Sequence, residues 1–145
     1  MEYKTGNLLE YIHAYNYLLV TTNSFIKKDL KLVMGRGFAE QIRNTYPGID
    51  AFFGDIIYKT CGHLGFYGVI FHGKFGAFQV KYHYMKSAEI DLVQKSTDML
   101  INIANRHPTK LFGMNCPAIG NGKLQIDVIH PIINNLPNNV HVWRN

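Results

Sequence analysis

VMGRGFAEQIRNTYPG, residues 33–48, sets the architecture of the chain: a turn bracketed by Gly35 and Gly37 runs into an amphipathic segment that stops at Pro47-Gly48. Phe38, Ile42 and Tyr46 recur at helical spacing, which predicts a helix over residues 38–45 with one apolar face. Glycines remove the side chains that would hold a ligand off the backbone, and a helix N-terminus points unpaired N–H groups outward. The turn is therefore expected to receive an anion such as phosphate, with Met34, Gly35, Arg36, Gly37 and Phe38 around it. Alone, GRG is also an ordinary tight turn. A second glycine turn, Ile119-Gly120-Asn121-Gly122-Lys123-Leu124, again follows an apolar run and precedes a helical pattern. The pair of turns predicts a diphosphate or dinucleotide-like ligand.

The flanking sequence reads as strands alternating with helices. Residues 1–7 form a short first strand, and residues 14–22 carry the β-branched, apolar run of a buried second one. Residues 23–31 are a polar loop, and Asp50 is placed to cap a helix reaching about Cys61. Residues 66–72 and 75–82 read as two strands joined by a Gly73-Lys74 hairpin turn, the second ending in Gln79, Lys81 and His83 on one face. Polar residues so placed face either water or a ligand. Ser87 opens a long helix to about Arg106, with Pro108 beyond it. Residues 110–115 form the next strand, a short helix follows the second glycine turn and is strained or ended near Pro131, and residues 140–143 close the chain as a strand. Alternating elements predict an α/β domain with a mixed sheet, in which ligands bind at the loops following the carboxyl ends of the strands.

Composition bounds the rest. With 145 residues and 47% apolar content, the chain is expected to form a single domain over residues 1–145. No apolar run approaches membrane-spanning length and the first residues lack a signal-peptide core, so a soluble, cytoplasmic protein without membrane contact is expected. Cys61 and Cys116 are the only cysteines and form no CxxC, which argues against a disulfide framework or zinc site and for buried free thiols. The seven histidines show no metal-ligand spacing; His83 and His130 alone fall near the expected site. Lysine and arginine outnumber acidic residues 15 to 10, a net charge of +5 compatible with an anionic small ligand or with nucleic acid. No helix-turn-helix, zinc or RNA-recognition signature supports the latter beyond a substrate role.

The order of these pieces resembles the macro domain, an ADP-ribose-binding fold of three α/β/α layers around a mixed central sheet. The resemblance covers nearly the whole chain, through Gly6-Asn7-Leu8-Leu9, Val20-Thr21-Thr22-Asn23, Val33-Met34-Gly35-Arg36-Gly37-Phe38-Ala39 and Pro117-Ala118-Ile119-Gly120-Asn121-Gly122. It implies that Asn7, with Leu8 beside it, stands where macro domains usually place an aspartate reading the adenine amino group, and that the glycine turns hold the diphosphate and distal ribose. Asn7 accepts through its amide oxygen without a formal charge. Asn23 matches the asparagine that reaches the distal ribose, while Val20 stands where a further asparagine is common. Trp143 falls where an aromatic often stacks on adenine; a core indole is the competing reading.

Within the family, residues 78–84 (FQVKYHY) together with VMGRG look most like the branch of DNA ADP-ribosyl glycohydrolase antitoxins and terminal ADP-ribose glycohydrolases. In that branch a lysine on this strand attacks the anomeric carbon of the distal ribose, and Lys81 is the match. A carboxylate that some members carry in the second glycine loop is missing, because Gly122 is followed by Lys123-Leu124-Gln125. The resemblance thus implies a monomeric glycohydrolase, with Lys81 as nucleophile, Asn23 orienting the ribose, and no metal or cofactor. Its substrate would be an ADP-ribosylated protein or nucleic-acid base. The alternatives are a non-catalytic reader of ADP-ribose or a related nucleotide signal, and a phosphatase or deacylase on ADP-ribose derivatives that uses water without Lys81.

Overall fold

The computed structural model describes residues 1–144, the side chain of Asn121 excepted. Along the chain lie β1 (Glu2–Thr5), a 3-10 helix (Leu8–Ala14), β2 (Tyr17–Thr22), α1 (Gly37–Thr45), α2 (Ile49–Thr60), β3 (Val69–His72) and β4 (Phe75–Gln79). Then follow α3 (Ile90–Arg106), β5 (Phe112–Asn115), a 3-10 turn (Gly120–Gly122), α4 (Ile126–Ile133) and β6 (Val140–Arg144). The strands form one six-stranded mixed sheet in the order β1-β6-β5-β2-β4-β3. Within this sheet only the β3–β4 hairpin is antiparallel among the described pairings, with His72 opposite Phe75 across the Gly73-Lys74 turn that the sequence predicts.

Helices cover both faces, so the central strands are buried on both sides. Leu18 and Val20 of β2 pack with Ile42 of α1 and Phe53 and Ile57 of α2, whereas Leu19, between them, packs with Val93 and Leu100 of α3 and Ile129 and Ile133 of α4. The strand period of two sends successive side chains into opposite layers, which gives the expected α/β/α sandwich. On α1, Ile42 is fully buried and Phe38 and Tyr46 pack beside it, one face as the spacing predicts. No helix among the described residues is long and apolar enough to cross a membrane.

Several local expectations are corrected. Ala14 belongs to the 3-10 helix and β2 starts only at Tyr17; Asn7 opens that helix, its Oδ1 accepting from Leu9 N at 3.1 Å. Asp50 lies inside α2, where its carboxylate accepts from Ala51 N at 3.0 Å, because Gly48 at φ +99° takes the cap position. Glu89 rather than Ser87 precedes α3, whereas α4 does end near Pro131, at Ile133 two residues beyond it. Residues 66–68 precede β3, and β4 stops at Gln79, so Lys81 and His83 fall in the turn beyond the strand. Gln79 faces neither water nor a cleft: it is fully buried. Of the two thiols, Cys116 is buried and Cys61 half-buried, and both are free.

Candidate ligand cleft at the carboxyl ends of the strands

β4 runs parallel to β2, as β2 does to β5, β5 to β6 and β6 to β1. The loops after β1, β2, β4 and β5 therefore emerge at one edge of the sheet. From β2 the chain leads toward β3 and β4, and from β5 toward β6, so the order reverses between β2 and β5. A crevice forms at such a reversal, because the two following loops part to opposite sides. The β2–β5 pairing ends at Leu19 and Met114, and beyond it Asn115 bridges the gap: its Oδ1 accepts from Thr21 N at 3.1 Å and its Nδ2 donates to Thr21 Oγ1 at 2.8 Å.

Asn23 shapes the loop after β2. Its Oδ1 accepts from Phe25 N at 2.8 Å and its Nδ2 donates to Val33 O at 3.0 Å, which ties the loop's start to the residue before Met34. Between them the loop folds into a small hairpin, with Ile26 bridged to Leu32 and Leu32 N donating to Asp50 O at 3.0 Å. Met34 is thereby buried and Gly35 and Arg36 are exposed. A Cβ added at Gly35 would meet nothing within 4 Å. Gly37 stands at φ +58° as the first residue of α1, a backbone that only glycine adopts without strain. Glu40 N is the first to bond back, to Arg36 O at 3.2 Å, and Arg36 supplies no side-chain cap. The first-turn N–H groups are thus directed past Arg36, where an anion is favoured.

The second loop holds an unusual backbone. Ala118 at φ +67° and Lys123 at φ +65° are non-glycine residues in the left-handed region, on either side of Gly120 at φ +63°. Each non-glycine residue held so costs on the order of 1 kcal/mol or more, and such strain collects at ligand-holding sites. Bonds from Leu124 N to Ala118 O at 2.9 Å and from Ala88 N to Gly122 O at 2.9 Å keep the loop in shape. The side chain of Asn121, predicted as a contact, lies outside the described residues.

Lys81 leaves β4 facing these two loops. It is half-buried, and its Nζ donates to Tyr84 O at 3.4 Å. Burial pulls its pKa below the ordinary lysine value, and the charges of Arg36 and Lys123 pull it further the same way. Arg36 comes from the first glycine loop and Lys123 from the second, so three loops bring positive charge together. Among the described residues no cluster of His, Cys, Asp and Glu could hold a metal. A shallow concavity of about 410 Å³, lined by Ala104, Asn105, Pro108, Pro137, Asn138 and Asn139, lies at the opposite, amino-terminal end of β5 and β6 and carries no charged side chain.

Among solved structures, this chain superposes on the Thermosipho africanus DarTG complex with ADP-ribose at a TM-score of 0.75 and 16% identity, over 99% of this chain and 41% of that one. The chain thus spans about two fifths of that protein. It superposes on the macrodomains of Thermus aquaticus DarG (TM-score 0.72, 20% identity, 98% and 95% covered) and Mycobacterium tuberculosis DarG (0.73, 19%, 99% and 97%). The fold is that of a macrodomain. No family model and no curated protein matches the chain.

Across this fold the predicted residues divide into groups. Met34, Gly35, Arg36, Gly37 and Phe38 follow β2 and Ile119, Gly120, Gly122, Lys123 and Leu124 follow β5; Lys81 feels the charge of Arg36 from the first set and of Lys123 from the second, and Asn23 is tied to the residue before Met34. Asn7 and Leu8 lie after β1, four strand positions from β4; at about 4.8 Å per step that is roughly 19 Å. Leu8 is buried, so the backbone and Asn7 form that rim. Trp143 is in the core: it is 8% exposed, its Nε1 donates to Tyr15 OH at 2.7 Å, and the Tyr11 ring stacks on it at 4.8 Å. His130 bonds Tyr3 OH at 2.6 Å, away from the cleft on α4.

Several residues at the cleft are absent from the sequence reading. Asn115 at the strand reversal has no motif to mark it. Phe25 meets His63, His83 and Tyr84 edge-on at 4.7, 4.7 and 4.9 Å, an aromatic wall beside Lys81 that only the fold assembles. Tyr11, 49% exposed, offers the open ring where Trp143 does not. The adjacency of His83 and Tyr84 to Lys81 is the only part of this set that the sequence displays.

Proposed function

We propose that this macrodomain binds ADP-ribose along the cleft and cleaves the glycosidic link of an ADP-ribosylated protein or nucleic-acid base. The observation that carries the reading is the convergence of Lys81, Arg36 and Lys123 on one gap between two glycine loops. Like charges brought together repel, and a bound diphosphate removes that repulsion. The elongated rim from Asn7 to Lys81 suits a ligand with a base at one end and a second ribose at the other. ADP-ribose bound in the Thermosipho africanus neighbour supports this choice.

In this reading Arg36, Lys123 and the N–H groups opening α1 hold the diphosphate. Once bound, the diphosphate offsets the charge of Arg36 and Lys123, and the burial that is the main cause of the lowered Lys81 pKa remains. A part of Lys81 is then the free amine, the form that attacks carbon. Its Nζ forms a bond to the anomeric carbon while the bond to the leaving group breaks, and that group departs with a proton taken from the attacking nitrogen. Ring opening, with the ring oxygen taking a proton from solvent water, gives a protonated imine to the lysine, and the hydroxide so formed adds to it to release ADP-ribose and restore the amine. Asn23 orients the ribose through the amide hydrogen that its bond to Val33 O leaves over.

One observation favours a second reading, a non-catalytic ADP-ribose reader: the second glycine loop runs Gly122-Lys123-Leu124-Gln125, with no carboxylate to take a proton. Calorimetric titration with ADP-ribose tests binding. Turnover of ADP-ribosylated substrates by wild type and Lys81→Ala then separates the readings. Lost turnover with retained binding supports attack by Lys81, and absence of wild-type turnover on protein and nucleic-acid substrates favours the reader.

A further inference from the structure

The β2–β4 ladder ends with Thr22 opposite Gln79, and two further backbone bonds join the segments beyond it, from Val80 N to Thr22 O at 3.0 Å and from Ser24 N to Tyr82 O at 3.0 Å. Asn23 and Lys81 lie between these two bonds, past the last ladder pair, where backbone pairing sets the spacing of the two segments and leaves the carbonyls of Asn23 and Lys81 to other partners. A buried polar network takes over there. Tyr67, 3% exposed, donates its hydroxyl hydrogen to Asn23 O at 2.8 Å. A phenol has one hydrogen and a carbonyl can only accept, so Thr22 Oγ1, 2.5 Å away, donates to the Tyr67 oxygen. The backbone N of Tyr67 and that of Gly68 donate to Gln79 Oε1 at 2.8 and 3.0 Å, and Gln79 Nε2 donates to Gly65 O at 3.0 Å and Lys81 O at 3.4 Å. Ser96 Oγ on α3 donates to Gln79 O at 2.7 Å.

Gln79 therefore uses both amide hydrogens and accepts twice, and its amide cannot flip without setting donors against donors. Burying such groups costs desolvation that apolar side chains would avoid, so stability alone does not call for them. One end of the network holds the carbonyl of Asn23, and the other holds the carbonyl of Lys81. We propose that Tyr67 and Gln79 form a shared mount that fixes Lys81 against Asn23, acting as positioning residues for the reaction assigned to Lys81. The inference rests on that reading.

Tyr67→Phe keeps the ring and removes only the hydroxyl, and Gln79→Met keeps an unbranched chain of similar length without the amide. Asn139→Ala is the control: its amide ties Ala104, His107 and Lys110 carbonyls at the far end of the sheet, so it lowers melting temperature without touching the cleft. Both mount variants are expected to lose kcat on the order of tenfold while KM and ADP-ribose affinity stay within about twofold, because misplacement affects the attack and not the phosphate contacts. Tyr67→Phe should cause no further loss in a Lys81→Ala background. The Lys81 titration, followed by NMR of ε-carbon-labelled lysine and assigned with Lys81→Arg, should move up toward the ordinary lysine value in both variants. A loosened lysine gains water and moves off Arg36 and Lys123.

Wild-type kcat and an unmoved Lys81 titration in Tyr67→Phe would overturn the mount, as would an equal kcat loss in Asn139→Ala. If wild type turns nothing over, the glycohydrolase reading fails. The Lys81 titration then decides the mount alone, a shift in Tyr67→Phe supporting it and no shift overturning it.

Discussion

Lys81 sits at a cost to the empty protein. A lysine whose pKa is lowered on folding binds fewer protons folded than unfolded, so stability rises with pH through the lowered value and is diminished below it. The side chain is only half-buried, so solvent screens part of the effect. Lys81→Met is expected to raise the melting temperature at neutral pH, the gain shrinking as pH climbs toward the ordinary lysine range; scanning fluorimetry across pH reads this directly. A lower melting temperature at every pH would mean that the lysine stem contributes more packing than its charge costs. Turnover should rise with pH over the same window, as the free amine forms.

Trp143 illustrates the opposite outcome. The resemblance puts Trp143 on adenine, with core packing as the competing reading, and the bond to Tyr15 together with the Tyr11 stack places it in the core. Trp143→Ala is expected to cost about 3 to 5 kcal/mol, the usual range for emptying a buried aromatic site. ADP-ribose should leave the emission of this single tryptophan unaltered. A large spectral change on binding, with a stable Ala variant, would return the indole to the ligand.

At the first glycine turn, two glycines with one apparent role turn out to have different ones. Gly37 is needed for its left-handed backbone at the start of α1, and Gly35 for the space before it. Gly37→Val should therefore lose stability, about 1 to 2 kcal/mol from the backbone alone, as well as binding. Gly35→Val is the cleaner test. With open space around the added side chain, its melting temperature should stay near wild type while ADP-ribose affinity falls; normal affinity in a folded Gly35→Val protein would remove the diphosphate from this turn. The α1 helix and the β3–β4 hairpin are legible in the sequence because their signals are local, a helical stripe and a two-residue turn. Element ends are less so: Asp50 and Ser87 are good capping residues, but Gly48 and Glu89 take those places because packing sets where each helix enters the layer.

For the whole molecule, ADP-ribose that binds only the folded state stabilises it by mass action, about 2.7 kcal/mol at a hundredfold excess over Kd. In a chain of 145 residues that corresponds to a melting-temperature rise of several degrees. The gain should shrink with added salt, since exposed Arg36 and Lys123 are screened. A folded sample without any shift at millimolar ADP-ribose would count against the cleft.

Alternating strand and helix patterns and the two glycine turns are readable one residue after another, since each depends on neighbours within a few positions. They sufficed for the layered fold. What the sequence could not express is which loops meet. Arg36, Lys81 and Lys123 are separated by more than forty positions at each step, and only the strand order that brings β2, β4 and β5 side by side makes them one charged site. The same holds for Asn115, Tyr67 and Gln79, ordinary residues by spacing and composition. Their partners are backbone groups left unpaired where the ladders end, and those ends exist only once the sheet has formed.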